Sequence, residues 1–113
     1  MEALFEVSVS ERAGARVVTA VGEVDVSTAP ELRQCLRDQP EGAVVVVDLS
    51  DVTFLDSTGL GVLVAALKRV RDGAEGGELR LVVNRPQVTK VLEVTGLSAV
   101  FSIFPTLAEA LGQ

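Results

Sequence analysis

The stretch that decides the fold runs from residue 43 to residue 72 and reads AVVVVDLSDVTFLDSTGLGVLVAALKRVRD. It opens with Ala43–Leu49, a run of branched apolar residues that is typical of a strand buried on both faces. After a short polar stretch, a helical pattern follows from Ser57 to Asp72, with apolar residues at the spacing of a core-facing helix. The stretch therefore predicts a central β-strand that leads directly into an α-helix.

The predicted helix has two unlike sides. Its core side carries the larger apolar residues, which are Leu60, Leu63, Val64, Leu67 and Val70. Its outward side consists of Gly61, Val62, Ala65, Ala66 and Arg69. All but Arg69 are small or apolar, where a surface helix usually has Lys and Glu. Such a side suits the close approach of a partner. A neighbouring loop or helix of the same chain would explain it equally well.

Strand and helix patterns alternate on either side of this stretch. Before it, two β-rich runs at residues 4–9 and 15–21 predict an antiparallel hairpin with a polar turn at residues 10–14. Thr28–Glu31 has the form of a capping box, which predicts a helix that begins near Thr28. After it come a strand at residues 78–83, a helix from Pro86 to Gly96, a strand at residues 99–104 and a helix at residues 105–111.

The order ββαβαβαβα predicts the fold class. It indicates a single α/β domain with a mixed, mainly parallel sheet of about five strands and about four helices. The N-terminal hairpin is expected to form an antiparallel edge of that sheet.

The composition excludes several classes of function. The chain has 113 residues, which is too short for two ordinary hydrophobic cores. It has no His and a single Cys, Cys35, so it cannot build a Ser-His-Asp triad, a His-ligated metal site or an internal disulfide. A net charge of -6 opposes binding to nucleic acid. We expect no metal, no cofactor and, because disulfides are absent, a cytoplasmic location.

The apolar segments are too short to predict a membrane protein. The longest run, Gly59–Leu67, ends at Lys68 and falls well short of the roughly 20 residues that a spanning helix needs. The first residues, Met-Glu-Ala-Leu-Phe-Glu, are acidic where a signal peptide is basic. We therefore expect neither membrane association nor export.

The candidate site is the segment Phe54–Gly61, which leaves the carboxyl end of the central strand and enters the helix. In open α/β sheets, binding sites collect at this end. The run Asp56-Ser57-Thr58 has a structural interpretation, since any of these side chains can cap the helix N-terminus. It also has a functional interpretation, because the amides and dipole of a helix N-terminus tolerate a phosphate covalently attached to Ser57.

Three other interpretations fit the residues poorly. Gly59-Leu60-Gly61 begins like a dinucleotide-binding fingerprint, but Val64 stands where a small residue is needed. Asp48 resembles the phosphorylated Asp of a receiver domain, yet the first strand is not followed by an acidic pair to hold Mg²⁺. A serine hydrolase would need a nucleophile elbow and a base. The residues favour a binding or substrate role over an enzyme.

Three ordered segments resemble the STAS domains of anti-sigma factor antagonists. The first is Gly22-Glu23-Val24-Asp25 with Thr28-Ala29, the second is Asp56–Gly61 after Val52–Leu55, and the third is Pro86-Gln87-Val88 with Leu92 and Thr95-Gly96-Leu97. The resemblance covers nearly the whole chain and implies one STAS domain over residues 1–113.

The resemblance implies a regulatory protein rather than an enzyme. In this family the unphosphorylated domain binds an anti-sigma factor that is also a serine kinase, and the sigma factor is released. The kinase then phosphorylates a serine of the antagonist, and a metal-dependent serine phosphatase restores it. By position, Ser57 is the acceptor. The residues expected to contact the partner are Asp25, Asp56, Thr58, Gly59, Gly61, Val62 and Ala65.

The same fold is compatible with a second function. The chain would then be a STAS-fold scaffold or accessory module that binds a small anion, a nucleotide or a transport complex without a phosphorylation cycle. A fold alone does not specify a function. The intact serine motif favours the antagonist.

Overall fold

A computed structural model describes residues 5–113. Its strands are β1 (Phe5–Arg12), β2 (Ala15–Val24), β3 (Val44–Leu55), β4 (Glu78–Val82) and β5 (Ser102–Phe104). Its helices are α1 (Ala29–Arg37), α2 (Ser57–Asp72), α3 (Pro86–Val94) and α4 (Leu107–Ala110), with a 3-10 turn at Leu97–Ala99. Within this part of the chain no helix combines the length and apolar character needed to cross a membrane. The predicted order of strands and helices is confirmed.

The strands form one sheet in the order β1-β2-β3-β4-β5. The β1–β2 pair is antiparallel and the other three pairs are parallel. In the central strand, Val45, Val46 and Val47 are all buried, as expected for a strand with both faces covered. The predicted mixed sheet with an antiparallel edge hairpin is therefore confirmed.

Helices cover the two faces of the sheet unequally. On one face α1, α2 and α3 enclose the larger core, in which Leu32 and Leu63 are fully buried. On the other face α4 covers a smaller core that contains Val46 and Ala110. Arg80 supports this second core, because its Nη1 donates to the Ala110 carbonyl at 2.7 Å.

The hairpin turn is tighter than predicted. The prediction of a polar turn at residues 10–14 is wrong, since β1 continues to Arg12 and β2 begins at Ala15. Only Ala13 and Gly14 connect them, with φ angles of +52° and +81°, the left-handed geometry of two-residue hairpin turns. The polar residues before the turn belong to an exposed edge strand and look like a loop in the sequence. Leu4, the first residue of the predicted strand, lies outside the described residues.

The central strand is longer than predicted and runs on to Leu55. Its pairing with β2 shifts register twice. At the first irregularity, Asp48 Oδ1 accepts hydrogen bonds from the Ser50 amide at 3.0 Å and from the Ser50 hydroxyl at 2.5 Å. Such bulges keep polar residues within a strand. The loop expected at Phe54–Gly61 therefore shrinks to Asp56 between β3 and α2.

The last strand is shorter than predicted. It begins at Ser102 rather than at residue 99, because Leu97–Ala99 forms a 3-10 turn. The final helix begins at Leu107, where the Thr106 hydroxyl accepts a hydrogen bond from the Glu109 amide at 3.1 Å. These are differences of element boundaries, and the topology is unchanged.

Candidate partner-binding site at the start of helix α2

Ser57 is the first residue of α2 and is exposed. Asp56 precedes it as the N-cap, and its Oδ1 accepts a hydrogen bond from the Gly59 amide at 3.0 Å. The Asp56 carbonyl accepts the Leu60 amide at 2.9 Å. Capping is therefore the role of Asp56, and the Ser57 hydroxyl is presented on the surface of the first helical turn.

The loop that follows β2 lies beside this helix start. The parallel pairing of β2 with β3 continues to Val24 and Leu55, and the Asp56 amide donates to the Val24 carbonyl at 3.2 Å. Asp25 and Asp56 thus come directly after paired residues at the carboxyl ends of two parallel strands. The structure brings both predicted loops to the same edge of the sheet, where sites collect in open α/β folds.

Asp25 organises its own loop through hydrogen bonds. Its Oδ1 accepts the hydroxyl and the amide of Ser27 at 2.8 and 2.9 Å and the amide of Thr28 at 3.2 Å. These donors, led by the Ser27 hydroxyl, hold the pKa of the Asp25 carboxyl below its usual value, because they favour the charged form. Asp25 is therefore a fixed negative charge at neutral pH.

The capping box predicted at Thr28–Glu31 is wrong. The Thr28 hydroxyl accepts the Asp25 amide at 2.9 Å and donates to the Glu23 carbonyl at 2.8 Å, so it binds the preceding loop. The Asp25 carboxylate and carbonyl accept the amides that enter α1 instead. The helix nevertheless begins one residue after Thr28, close to the predicted start.

The predicted outward side of α2 needs a correction. Val62, expected at the partner surface, is buried with 3% of its surface exposed, whereas Val64, expected in the core, is 39% exposed. The reason is the position of α1, which packs against α2 beside Val62. Gly61 and Ala65 are exposed as expected. The exposed side of α2 thus runs from Ser57 through these two residues and includes Val64.

Gly59 is also less accessible than a contact residue needs to be. It is buried, and a Cβ at this position would lie 2.6 Å from Leu55 Cδ1 and 2.8 Å from Val24 Cγ1. Its role is therefore to let α2 approach the sheet. Thr58, beside it, is half-buried.

Two exposed apolar side chains flank Ser57 and Asp25, and neither was among the expected partner contacts, although Phe54 belongs to the candidate segment. Val26 is 71% exposed in the loop after Asp25, and Phe54 is 48% exposed opposite Glu23 in the strand register. A valine within a polar turn is a sequence signal for the first. The second depends on the irregularity of β3, which local patterns do not show. Exposed apolar side chains, aromatic ones above all, with polar groups around them are typical of protein interfaces.

The remaining chemistry near the site is limited. Among residues 5–113, no group of three or more acidic or cysteine side chains is placed to hold a metal ion. Burial, followed by the charges of Asp38 and Glu31, raises the pKa of the half-buried Cys35 thiol, so the thiol is protonated at neutral pH. The surface thus offers the exposed hydroxyl of Ser57 with the carboxylates of Asp25 and Asp56 nearby.

Comparison with known proteins identifies similar chains. The model of the STAS domain matches residues 6–110. The chain is 39% identical over 87 residues to the anti-sigma-B factor antagonist of Bacillus subtilis (strain 168), covering 76% of this chain and 78% of that protein. It is 34% identical over 110 residues to the anti-sigma-F factor antagonist RsfB of Mycobacterium tuberculosis (strain ATCC 25618 / H37Rv), covering 93% and 85%. The crystal structure of an anti-sigma factor antagonist from Mycobacterium paratuberculosis is 36% identical, with a TM-score of 0.84 over 96% of this chain and 92% of that one.

Proposed function

Because this chain belongs to the STAS domain family and its relatives are anti-sigma factor antagonists, we propose that it is such an antagonist and is controlled at Ser57. In the unphosphorylated form it binds an anti-sigma factor serine kinase in the cytoplasm, and the sigma factor is released. Phosphorylation of Ser57 ends this binding. A metal-dependent serine phosphatase restores the active form.

The position of Ser57 is the observation that carries the proposal. The hydroxyl is exposed at the first residue of α2, while Asp56 performs the capping that would otherwise occupy a serine there. The Asp25 loop adjoins the same edge of the sheet. A kinase can therefore reach the acceptor without unfolding the helix.

The proposed transfer needs no catalytic group from this chain. Ser57 Oγ attacks the γ-phosphorus of ATP held by the kinase, its proton passes to a base of the kinase, and the bond to ADP breaks. The phosphatase later breaks the Oγ–phosphorus bond with water and releases inorganic phosphate. This chain serves as the substrate and as a binding surface, which is why it needs no histidine.

One phosphate is sufficient for the switch. In the free domain it lies at a helix N-terminus, where a negative charge stabilises by about 0.3–1 kcal/mol. In a closed interface the added charge of roughly -1.5 to -2 must be desolvated beside Asp56. A penalty of about 3 kcal/mol weakens binding more than a hundredfold. Repulsion at the interface suffices, and no refolding of the domain is required.

The proposal predicts opposite behaviour for two variants of Ser57. Ser57→Ala should bind the anti-sigma factor of the same organism with unchanged affinity and should stay bound when ATP is added. Ser57→Asp should bind at least about tenfold more weakly, because it places a permanent charge at the interface. Calorimetry with the purified partner measures both. Equal affinities of wild type and both variants, with and without ATP, would refute the switch.

The site of modification is tested separately, because Thr58 is the nearest competing hydroxyl. Mass spectrometry of the wild-type chain after reaction with the kinase and ATP should place the phosphate on Ser57. Ser57→Ala should remain unmodified, whereas Thr58→Val, which removes the competing hydroxyl and keeps the shape of the side chain, should be phosphorylated like the wild type. A phosphate on Thr58 together with an unmodified Ser57 would contradict the assignment.

A further inference from the structure

A groove of about 180 Å³ separates α1 from the second half of α2. Arg33 and Arg37 line it from α1, Arg69 lines it from α2, and Ala65 and Ala66 provide a floor of small side chains. Residues four apart share a helix face, so the exposed side of α2 that starts at Ser57 leads directly into this groove. The groove and the acceptor serine therefore belong to one continuous surface.

Among residues 5–113, none of the three arginines takes part in an ion pair. The ion pairs found among residues 5–113 use other cations, namely Arg16, Lys68, Arg80 and Arg85. Asp38, which follows Arg37 in the sequence, accepts a hydrogen bond from Gln34 at 2.8 Å. Three of the ten basic residues thus converge on one groove of a chain whose net charge is -6.

Requirements of the fold explain two of these arginines. Arg69 Nη1 donates to the Leu36 carbonyl at 3.2 Å, near the end of α1. Arg37 stands in the last turn of α1, where the helix dipole favours a cation. Arg33 lies one turn earlier and repels Arg37 at a spacing of four residues. A local arrangement that costs stability is typical of a functional surface.

We propose that this groove is a docking surface for an acidic segment of a protein partner. Guanidinium groups bind carboxylates through charge-assisted, paired hydrogen bonds. Ala65 and Ala66 at the floor can also contact the backbone or a short apolar side chain of the docked segment. An isolated anion would not make this contact. Docking here does not depend on phosphorylation of Ser57, so the inference goes beyond the proposed switch.

Titration of the ¹⁵N-labelled chain with a defined acidic peptide tests the proposal. The peptide alternates pairs of Glu with Leu and Ala, and its reference has Gln at every Glu position. Only the acidic peptide should shift the amide signals of the groove residues, and added salt should weaken the effect. Arg33→Gln with Arg37→Gln should lower its affinity about tenfold or more. This double variant keeps the hydrogen bond from Arg69 to Leu36.

The matched control is Arg12→Gln with Lys90→Gln, which removes the same formal charge at exposed positions outside the groove and should keep the affinity within about twofold. An equal loss of peptide affinity in both double variants would overturn the proposal. Amide signals that shift only outside the groove, or that do not shift at all, would overturn it too. Inorganic phosphate or phosphatidylglycerol vesicles that bind the groove arginines when the acidic peptide does not would assign the groove to a phosphate group. A dimer that only Arg33→Gln with Arg37→Gln abolishes would assign it to a second copy of the chain.

Discussion

Asp25 and Asp56 each accept backbone amides at the beginning of a helix. The sequence offers Ser, Thr and Asp at both places, and propensity alone treats these residue types as near-equivalent caps. The structure distinguishes them, because the Thr28 hydroxyl is engaged with the Asp25 amide and the Glu23 carbonyl. At the second site, capping by Asp56 leaves Ser57 for another role.

Ser27→Ala should raise the pKa of Asp25 toward its usual value, because the Ser27 hydroxyl is the main cause of the lowered pKa. A carboxyl group whose pKa is lowered by folding stabilises the folded state when the pH is above the pKa that the group has in the unfolded chain. This stabilisation is lost as the pH falls through the pKa of the group in the folded state. On acidification, Ser27→Ala should therefore begin to lose the stabilisation by Asp25 at a higher pH than the wild type does. NMR titration of the Asp25 carboxyl carbon measures the shift. Ser98→Ala should leave it unchanged, and an unchanged value in Ser27→Ala would contradict the explanation.

At the scale of single elements, α2 shows how packing decides which face of a helix is accessible. Apolar spacing predicts a core side that contains Val64, but the contact with α1 buries Val62 and leaves Val64 open. The sequence spacing is compatible with either rotation, because α2 has apolar residues over most of its circumference. The neighbouring helix selects between them.

Two glycines of α2 should respond oppositely to substitution by alanine. Gly59→Ala places a Cβ 2.6 Å from Leu55 Cδ1 and should lower the free energy of unfolding by about 1–3 kcal/mol. Apart from its chain neighbours and the backbone of its own helix, no described heavy atom lies within 4 Å of a Cβ built on Gly61. Gly61→Ala should therefore raise the free energy of unfolding by about 0.5–1 kcal/mol. Urea unfolding measures both. A stable Gly59→Ala variant would show that α2 does not approach the sheet this closely.

At the scale of the whole molecule, the sheet depends on cover from both sides. The larger core under α1, α2 and α3 follows from the long apolar patterns of these elements. The smaller core under α4 rests on a helix of four residues, which local patterns alone would not place on the opposite face. The central strand needs both cores, since its consecutive valines point to opposite faces of the sheet.

Val46→Ala and Val47→Ala test this cover. Both side chains are fully buried, Val46 beneath α4 and Val47 beneath the larger helical layer. Each variant should lower the free energy of unfolding by about 2 kcal/mol, because each loses buried apolar contacts. Thermal and urea unfolding provide the comparison. A cost below about 0.5 kcal/mol for Val46→Ala would show that α4 leaves that face open to solvent.

Local sequence patterns were sufficient for the order of the elements, the central strand and the position of Ser57 at a helix start. These features depend on apolar periodicity and on residues that are adjacent in the chain. They were insufficient for the buried state of Val62, the exposed Phe54 and the groove of Arg33 and Arg69, which depend on contacts between distant residues. The two arginines stand on different helices and line one groove only because α1 packs against α2. Tertiary packing therefore decided which of the predicted residues form an accessible surface.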